Sequence, residues 1–218
     1  MKRYGTFQRW IVLGVFGIGI GIWTSGSVGL AQVRHDVGRV IPDRDTWQKP
    51  EEVIRAIGLK PGQVVADLGA GTGYFTFRLA EAVRPGGRVL AQDISVSALR
   101  SILRQARTLA PEASNVDVVL GLPEYTGIAT ETVDVAFICN VYHHVRDRAT
   151  WVRDVYRILK PGGRVVLIDF YKRPTPGPPL SMRIPEDQAR QEWVAGGFRH
   201  VETLTFLPYQ YMMILEKP

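Results

Sequence analysis

Several residue types that define whole protein classes are scarce in this sequence. Its 218 residues include a single cysteine, Cys139, which excludes an internal disulfide and any Cys-based zinc cluster. Histidine occurs four times. Two of these are the neighbours His143 and His144, whose side chains diverge, and no carboxylate spacing completes a ligand set, so no metal is expected. Basic clusters are also lacking. The formal net charge is +6, of which +3 comes from Lys2, Arg3 and Arg9 in residues 1–31, where there is no acid. The remaining +3 is scattered, whereas nucleic-acid binders show a basic stripe. Arg100, Arg104 and Arg107 share one helical face and read as a solvated surface. Hydrophobic residues make up 45% and charged residues 22%, which excludes a disordered chain and a collagen.

Charge is absent altogether from Trp10 to Val33. The apolar centre of this stretch, Ile11–Trp23, is short for a spanning helix. Basic residues precede it, small residues follow it, and Gly29-Leu30-Ala31 offers a small-x-small cleavage site. This is the layout of a secretory signal peptide over residues 1–31, and it implies an exported, periplasmic or secreted, protein. The alternative is an uncleaved anchor over residues 10–31. Three basic residues on one side (Lys2, Arg3, Arg9) then face three on the other (Arg34, Arg39, Arg44), so the positive-inside rule sets no orientation.

Residues 32–45 are polar and read as a linker, and residues 46–218 as one domain. Thr46 is placed to cap a helix over Trp47–Ile57, with Pro50 in its first turn. Short apolar runs then alternate with amphipathic segments. Strands are expected at Val64–Asp67, Arg88–Asp93, Val116–Leu120, Val133–Cys139 and Arg164–Phe170, and helices at Tyr74–Val83, Ser97–Leu109 and Arg148–Leu159. Such alternation argues a parallel sheet flanked by helices. Beyond Phe170 the pattern changes. Arg173–Leu180 holds four prolines and reads as a stiff loop, and Pro185–Ala195 as a helix. His200–Leu207 and Tyr211–Glu216 form a hairpin, which adds one antiparallel strand.

The strongest local signal is Asp67-Leu-Gly69-Ala-Gly71-Thr-Gly73, between a strand and a helix. Glycines permit a tight turn and close ligand approach, and the following helix offers free N–H groups. The dinucleotide fingerprint requires a glycine where Tyr74 stands, which counts against a nicotinamide-dependent oxidoreductase. Asp67 at the strand end would repel a pyrophosphate and welcome an ammonium or sulfonium group. Asp93 ends the second strand, where a carboxylate accepts from ribose hydroxyls. The implied ligand is a nucleoside with a cationic, amino-acid-like tail.

Taken in order, Asp67–Gly73, Asp93, Asn140–Val145 and Leu159-Lys-Pro-Gly-Gly163 resemble the successive motifs of class I S-adenosylmethionine-dependent methyltransferases. The resemblance spans about residues 46–218. It implies an α/β, Rossmann-like, doubly wound seven-stranded sheet, mostly parallel, whose final hairpin supplies the antiparallel strand. It also implies S-adenosylmethionine as cofactor. Gly69, Gly71 and Gly73 would border the methionine moiety, Asp67 would lie near its amino group, and Asp93 would hold the ribose. Gly121 and Leu122 would flank adenine. Many relatives have Asp at position 122; Leu122 cannot accept a hydrogen bond, and Glu124 or a backbone carbonyl is the substitute.

Methyl transfer is an in-line displacement in which positioning does most of the work, and a base is needed only where the nucleophile carries a proton. Catalytic candidates lie beyond the carboxyl ends of the strands. They are Asn140, which can hydrogen-bond cofactor or substrate, His143 as general base, and Tyr142 as an aromatic wall. Tyr171, Tyr209 and Tyr211 are further aromatic candidates, and Arg183 a candidate for an acidic substrate group. His144 reads as structural or cofactor-adjacent. The absence of an Asn-Pro-Pro-Tyr run disfavours a nucleic-acid substrate. The expected partner is a small-molecule or lipid substrate, with membrane contact through residues 10–31. The alternative is an exported binding module that keeps the fold without turnover; the intact glycine loop and Asp93 argue against it.

Overall fold

The computed structural model describes residues 43–108 and 115–218. The expectations for residues 1–31 and for most of the 32–45 linker lie outside them. Among the described residues no helix is long and apolar enough to cross a membrane.

In chain order the elements are α1 (Arg44–Gln48), α2 (Pro50–Ile57), β1 (Val64–Leu68), α3 (Thr76–Ala82), β2 (Arg88–Asp93), α4 (Val96–Thr108), β3 (Val116–Leu120) and β4 (Val133–Cys139). A 3-10 turn at Tyr142–His144 leads to α5 (Arg148–Ile158), β5 (Leu159–Phe170), α6 (Glu186–Ala195), β6 (Arg199–Leu204) and β7 (Gln210–Glu216). The strands form one seven-stranded sheet in the order β3-β2-β1-β4-β5-β7-β6. Neighbours from β3 to β5 pair in parallel, and β7 runs antiparallel to both β5 and β6. The strand order reverses between β1 and β4, and there the ends of neighbouring connections part and leave a crevice.

Alternation along the central strands explains the layering. Val65, Val89, Val135, Phe137 and Val166 bury against Val53 and Ile57 of α2, Leu79 of α3 and Ile102 of α4. Ala66, Leu68, Ala136, Ile138 and Leu167 bury on the other face, with Trp151 and Val155 of α5 and Trp193 of α6. Both faces of β4 are covered, so it shows no polar alternation. Each such fully buried aliphatic side chain stabilises the fold by about 1.5–3 kcal/mol.

Three expectations change in detail. The single helix over Trp47–Ile57 is two helices, broken at Lys49, which takes a left-handed conformation at φ 46°. Pro50 is the cause, because it disfavours the α conformation in the residue before it and has no N–H to donate. The cap is accordingly Asp43, which accepts from the Asp45 N–H, and Thr46 lies inside α1. The Lys160–Gly163 turn belongs to β5: the Gly162 N–H donates to the Lys217 carbonyl, and the Lys217 N–H to Gly163. A last-strand partner, invisible locally, turns a helix-ending tetrapeptide into sheet.

Candidate cofactor and acceptor site

The glycine loop and the end of β2 are built as one unit. Gly69 and Ala70 both donate to the Gln92 carbonyl, at 2.8 and 2.9 Å. The Asp93 carboxylate accepts from the Gly71 N–H through one oxygen and from the Ser95 N–H through the other, both at 2.8 Å. Two glycines are required for distinct reasons. Gly69 has φ +73°, and an added Cβ would lie 2.4 Å from Cγ2 of Val141. Gly71 has φ +57°, but an added Cβ would meet nothing within 4 Å. The first glycine packs against the β4 connection, and the second faces open space.

Beside the loop lies a cavity of about 530 Å³, within the range of small-molecule sites. Gly69, Asp93, Ile94, Leu122, Asn140 and His144 are among its walls. Ile94 and Leu122 are 58% and 64% exposed, high for apolar side chains, and present two greasy surfaces to a flat ring. Glu124 lines the same cavity and supplies the carboxylate that Leu122 lacks. The sequence reading overlooked Ile94; its signal was an apolar residue directly after Asp93 at the end of β2. Burial and the neighbouring His143 ring push His144 below the usual histidine range, so it stands uncharged at neutral pH.

Asp67 lies beneath the loop and is almost fully buried, and one of its oxygens accepts from the Thr76 hydroxyl at 2.6 Å. Desolvation dominates there and pushes the carboxyl up to about 6 from its ordinary 3.8. That difference corresponds to about 3 kcal/mol of disfavoured charge. A buried carboxylate held this way is a receptor for a cation. Open glycine, two-oxygen Asp93 anchor, apolar walls and buried acid together fit a nucleoside with a cationic tail.

The acceptor side is assembled across β4, β5 and β7. The His143 ring bonds Asp169 at the end of β5, Nδ1 to Oδ1 at 2.7 Å, and the His143 N–H donates to the other Asp169 oxygen at 3.1 Å. Both side chains are buried. The carboxylate selects the tautomer with its proton on Nδ1 and leaves Nε2 as the acceptor. Among the described residues the ring makes no other hydrogen bond. Asn140, left-handed at φ +63°, closes a ring of amides. Its NH2 donates to the Gln48 carbonyl at 3.3 Å, the Gln48 NH2 to the Gln210 carbonyl at 2.6 Å, and the Gln210 NH2 back to Asn140. The Asn140 amide is thereby engaged in holding α1 and β7 to the tip of β4, while the residue still lines the cavity.

Tyr142 stands apart from its expected catalytic place. Its ring is fully buried between Trp151 and Trp193, and its hydroxyl donates to Glu192 at 2.5 Å. Arg148, Tyr142 and Gln188 together hold the Glu192 carboxyl down at about 2, overcoming its desolvation. This cluster locks α5 to α6. Arg183 also differs from expectation: it is buried and bonds the carbonyls of Tyr171, Arg173, Thr175 and Pro178, so it staples the proline-rich loop. Tyr211 is fully buried. Tyr209 instead joins Phe170 around Trp47 of α1, with centroids 6.0 and 5.9 Å from the indole. Burial pushes the Cys139 thiol well up, so it stays protonated. No group of three or more His, Cys, Asp or Glu able to hold a metal occurs among the described residues.

Comparisons with known proteins agree with this geometry. The methyltransferase-domain family matches residues 66–165. The ubiquinone/menaquinone biosynthesis C-methyltransferase of Pasteurella multocida (strain Pm70) is 35% identical over 115 residues, which cover 53% of this chain and 42% of that one. The enzyme of the same name from Hydrogenovibrio crunogenus is 29% identical over 166 residues, 70% of this chain and 64% of that one. The chain thus spans between about two fifths and two thirds of the length of these curated relatives. In fold it is similar to a SAM-dependent methyltransferase from Aquifex aeolicus (TM-score 0.76, 24% identity, 81% and 94% covered). It is also similar to the Burkholderia thailandensis 1,6-didemethyltoxoflavin-N1-methyltransferase, solved with S-adenosylhomocysteine (TM-score 0.62, 21% identity, 80% and 79% covered). Ordered motifs, strand order and these likenesses converge on a methyltransferase domain matched over residues 66–165, similar in sequence and fold to S-adenosylmethionine-dependent methyltransferases.

Proposed function

We propose that this chain methylates a small-molecule or lipid acceptor, specifically a hydroxylated aromatic ring of the quinol type. The observation that carries the reading is the buried His143–Asp169 pair, set beyond β4 and β5 beside the cavity that Asp93 and the glycine loop frame. Bound S-adenosylmethionine supplies a methyl group on a sulfonium centre, already activated. Asp93 and the walls Ile94 and Leu122 hold the nucleoside, and Asp67 faces the cationic tail. For C-methylation the nucleophile is the ring carbon beside an ionised hydroxyl: loss of the hydroxyl proton drives electron density onto that carbon, and the carbon's own proton must leave afterwards to restore the aromatic ring. Nε2 of His143 takes the hydroxyl proton, and Asp169 stabilises the imidazolium that results. Trp47, Phe170 and Tyr209 give the acceptor ring an aromatic wall. The two relatives named above are C-methyltransferases of quinone biosynthesis by name, which supports this acceptor class. The charge-free run from Trp10 to Val33, with its basic flank, supports export of the domain or its anchoring at a membrane, and fractionation of cells producing the full chain tests this.

The test is calorimetric titration of the full chain with S-adenosylmethionine, with Asp93→Ala alongside, followed by transfer of labelled methyl to a panel of hydroquinones. Micromolar binding that weakens roughly a hundredfold in the variant is expected, because two charge-assisted backbone bonds and the ribose contact are lost together. Folded protein that binds no cofactor would leave only a non-catalytic module.

A further inference from the structure

The cofactor's amino-acid tail is a zwitterion, and the site described so far answers only its positive half. Asp67 is an acid for the ammonium. A carboxylate beside that ammonium needs a cation, and a buried acid makes this need greater.

Arg44 of α1 supplies one. Its guanidinium lies flat over the ring of Tyr74, which directly follows the glycine loop, with Cζ 3.7 Å from the ring centroid. The ring of Phe75 is 6.0 Å away. The guanidinium is poorly satisfied: Nε is buried with no hydrogen-bond partner, and the contact from Nη2 to the Gln48 carbonyl is long, at 3.5 Å. An arginine with a buried, unpaired Nε and its face against an aromatic ring keeps a donor for an anion. Its charge also favours the ionised forms of Asp67 and Cys139 against their burial. The neighbouring acids are engaged elsewhere. Asp45 bonds Tyr74 and Arg78, and Glu51 bonds Arg78.

We infer that Arg44 binds the carboxylate of the cofactor's amino-acid tail, opposite Asp67, and that α1 is thus part of the cofactor site. The inference rests on the functional reading above. Arg44 stands well outside the glycine-loop motif, and its placement depends on the Gln48–Asn140–Gln210 ring that pins α1.

A matched pair of ligands tests it on the full chain by calorimetry. S-adenosylhomocysteine carries the amino-acid tail, and 5′-methylthioadenosine lacks it. Arg44→Gln should weaken S-adenosylhomocysteine roughly 10–100-fold and leave 5′-methylthioadenosine within about twofold. Arg44→Lys keeps the charge and loses the flat fork, so it should fall between. Equal loss for both ligands would make Arg44 a structural residue and overturn the inference, as would no loss for either. Wild-type protein that binds neither nucleoside would overturn the functional reading itself, a result distinct from any change in Arg44 variants.

Discussion

The two sides of the crevice are built on opposite plans. On the β1–β2 side, the loop's N–H groups are spent on Gln92 and Asp93, while an open glycine and exposed apolar walls are left uncovered. On the β4–β5–β7 side, polar side chains are buried and already paired, His143 with Asp169 and Asn140 with two glutamines. The first side is a receptor whose shape is set by the chain's local path. The second is a rigid assembly whose function is to keep a few atoms in fixed places. Binding and chemistry should therefore respond to different substitutions.

The sharpest way to break that separation is His143→Gln. It should lower turnover roughly 100- to 10,000-fold while leaving cofactor affinity within about twofold, read by single-turnover kinetics and calorimetry. Equal losses in both would show that the two sides are one site. Next come the glycines. Gly69→Ala should destabilise the fold by about 2–4 kcal/mol, because a methyl group must displace Val141 at a strained φ. Gly71→Ala should cost only about 1 kcal/mol of stability yet weaken cofactor binding, because its obstacle is the ligand. Denaturant melts with and without S-adenosylhomocysteine separate the two.

The mildest effect is on pH. The Asp67 carboxyl sits at about 6 in the folded protein. A folded value above the ordinary 3.8 means that its cost to stability is absent below about 3.8, grows as pH rises from there, and is complete above about 6. A cationic tail binds the ionised form. Cofactor affinity should therefore fall by up to tenfold for each pH step below about 6 and level off above it, and Asp67→Asn should flatten the profile. Calorimetry between pH 5 and 8 measures it.

The same contrast decides what could be read from the sequence. The receptor side rests on contiguous residues: a strand, Asp67, three glycines and a helix start, then Asp93 at the end of the next strand. Local pattern and turn chemistry dictate these, and the strands between Arg88 and Cys139 fall on the residues their apolar runs mark. The assembled side rests on partners distant in the chain. His143 was visible as a base candidate, but its orienting Asp169 lies 26 residues on, and Gln48 meets Gln210 across 162. Tyr142 and Arg183 read as functional because their residue types are chemically able; only packing shows that Glu192 and four backbone carbonyls already claim them. Arg44 read as one more charge of the linker, because nothing near it in sequence discloses the ring of Tyr74.

The closed circle of amides among Gln48, Asn140 and Gln210 also sets an order in time. The α1 segment is fastened by β7, which follows every other strand of the sheet in the chain. During translation the glycine loop and Asp93 emerge early, but Arg44 and Trp47 gain their fixed positions only after Gln210 has left the ribosome. A chain cut short before β7 would keep the loop and lack the fastening. Such a fragment would lack the amide circle that fixes Arg44 and Trp47 of α1. Completion of the sheet and fastening of α1 are thereby the same event.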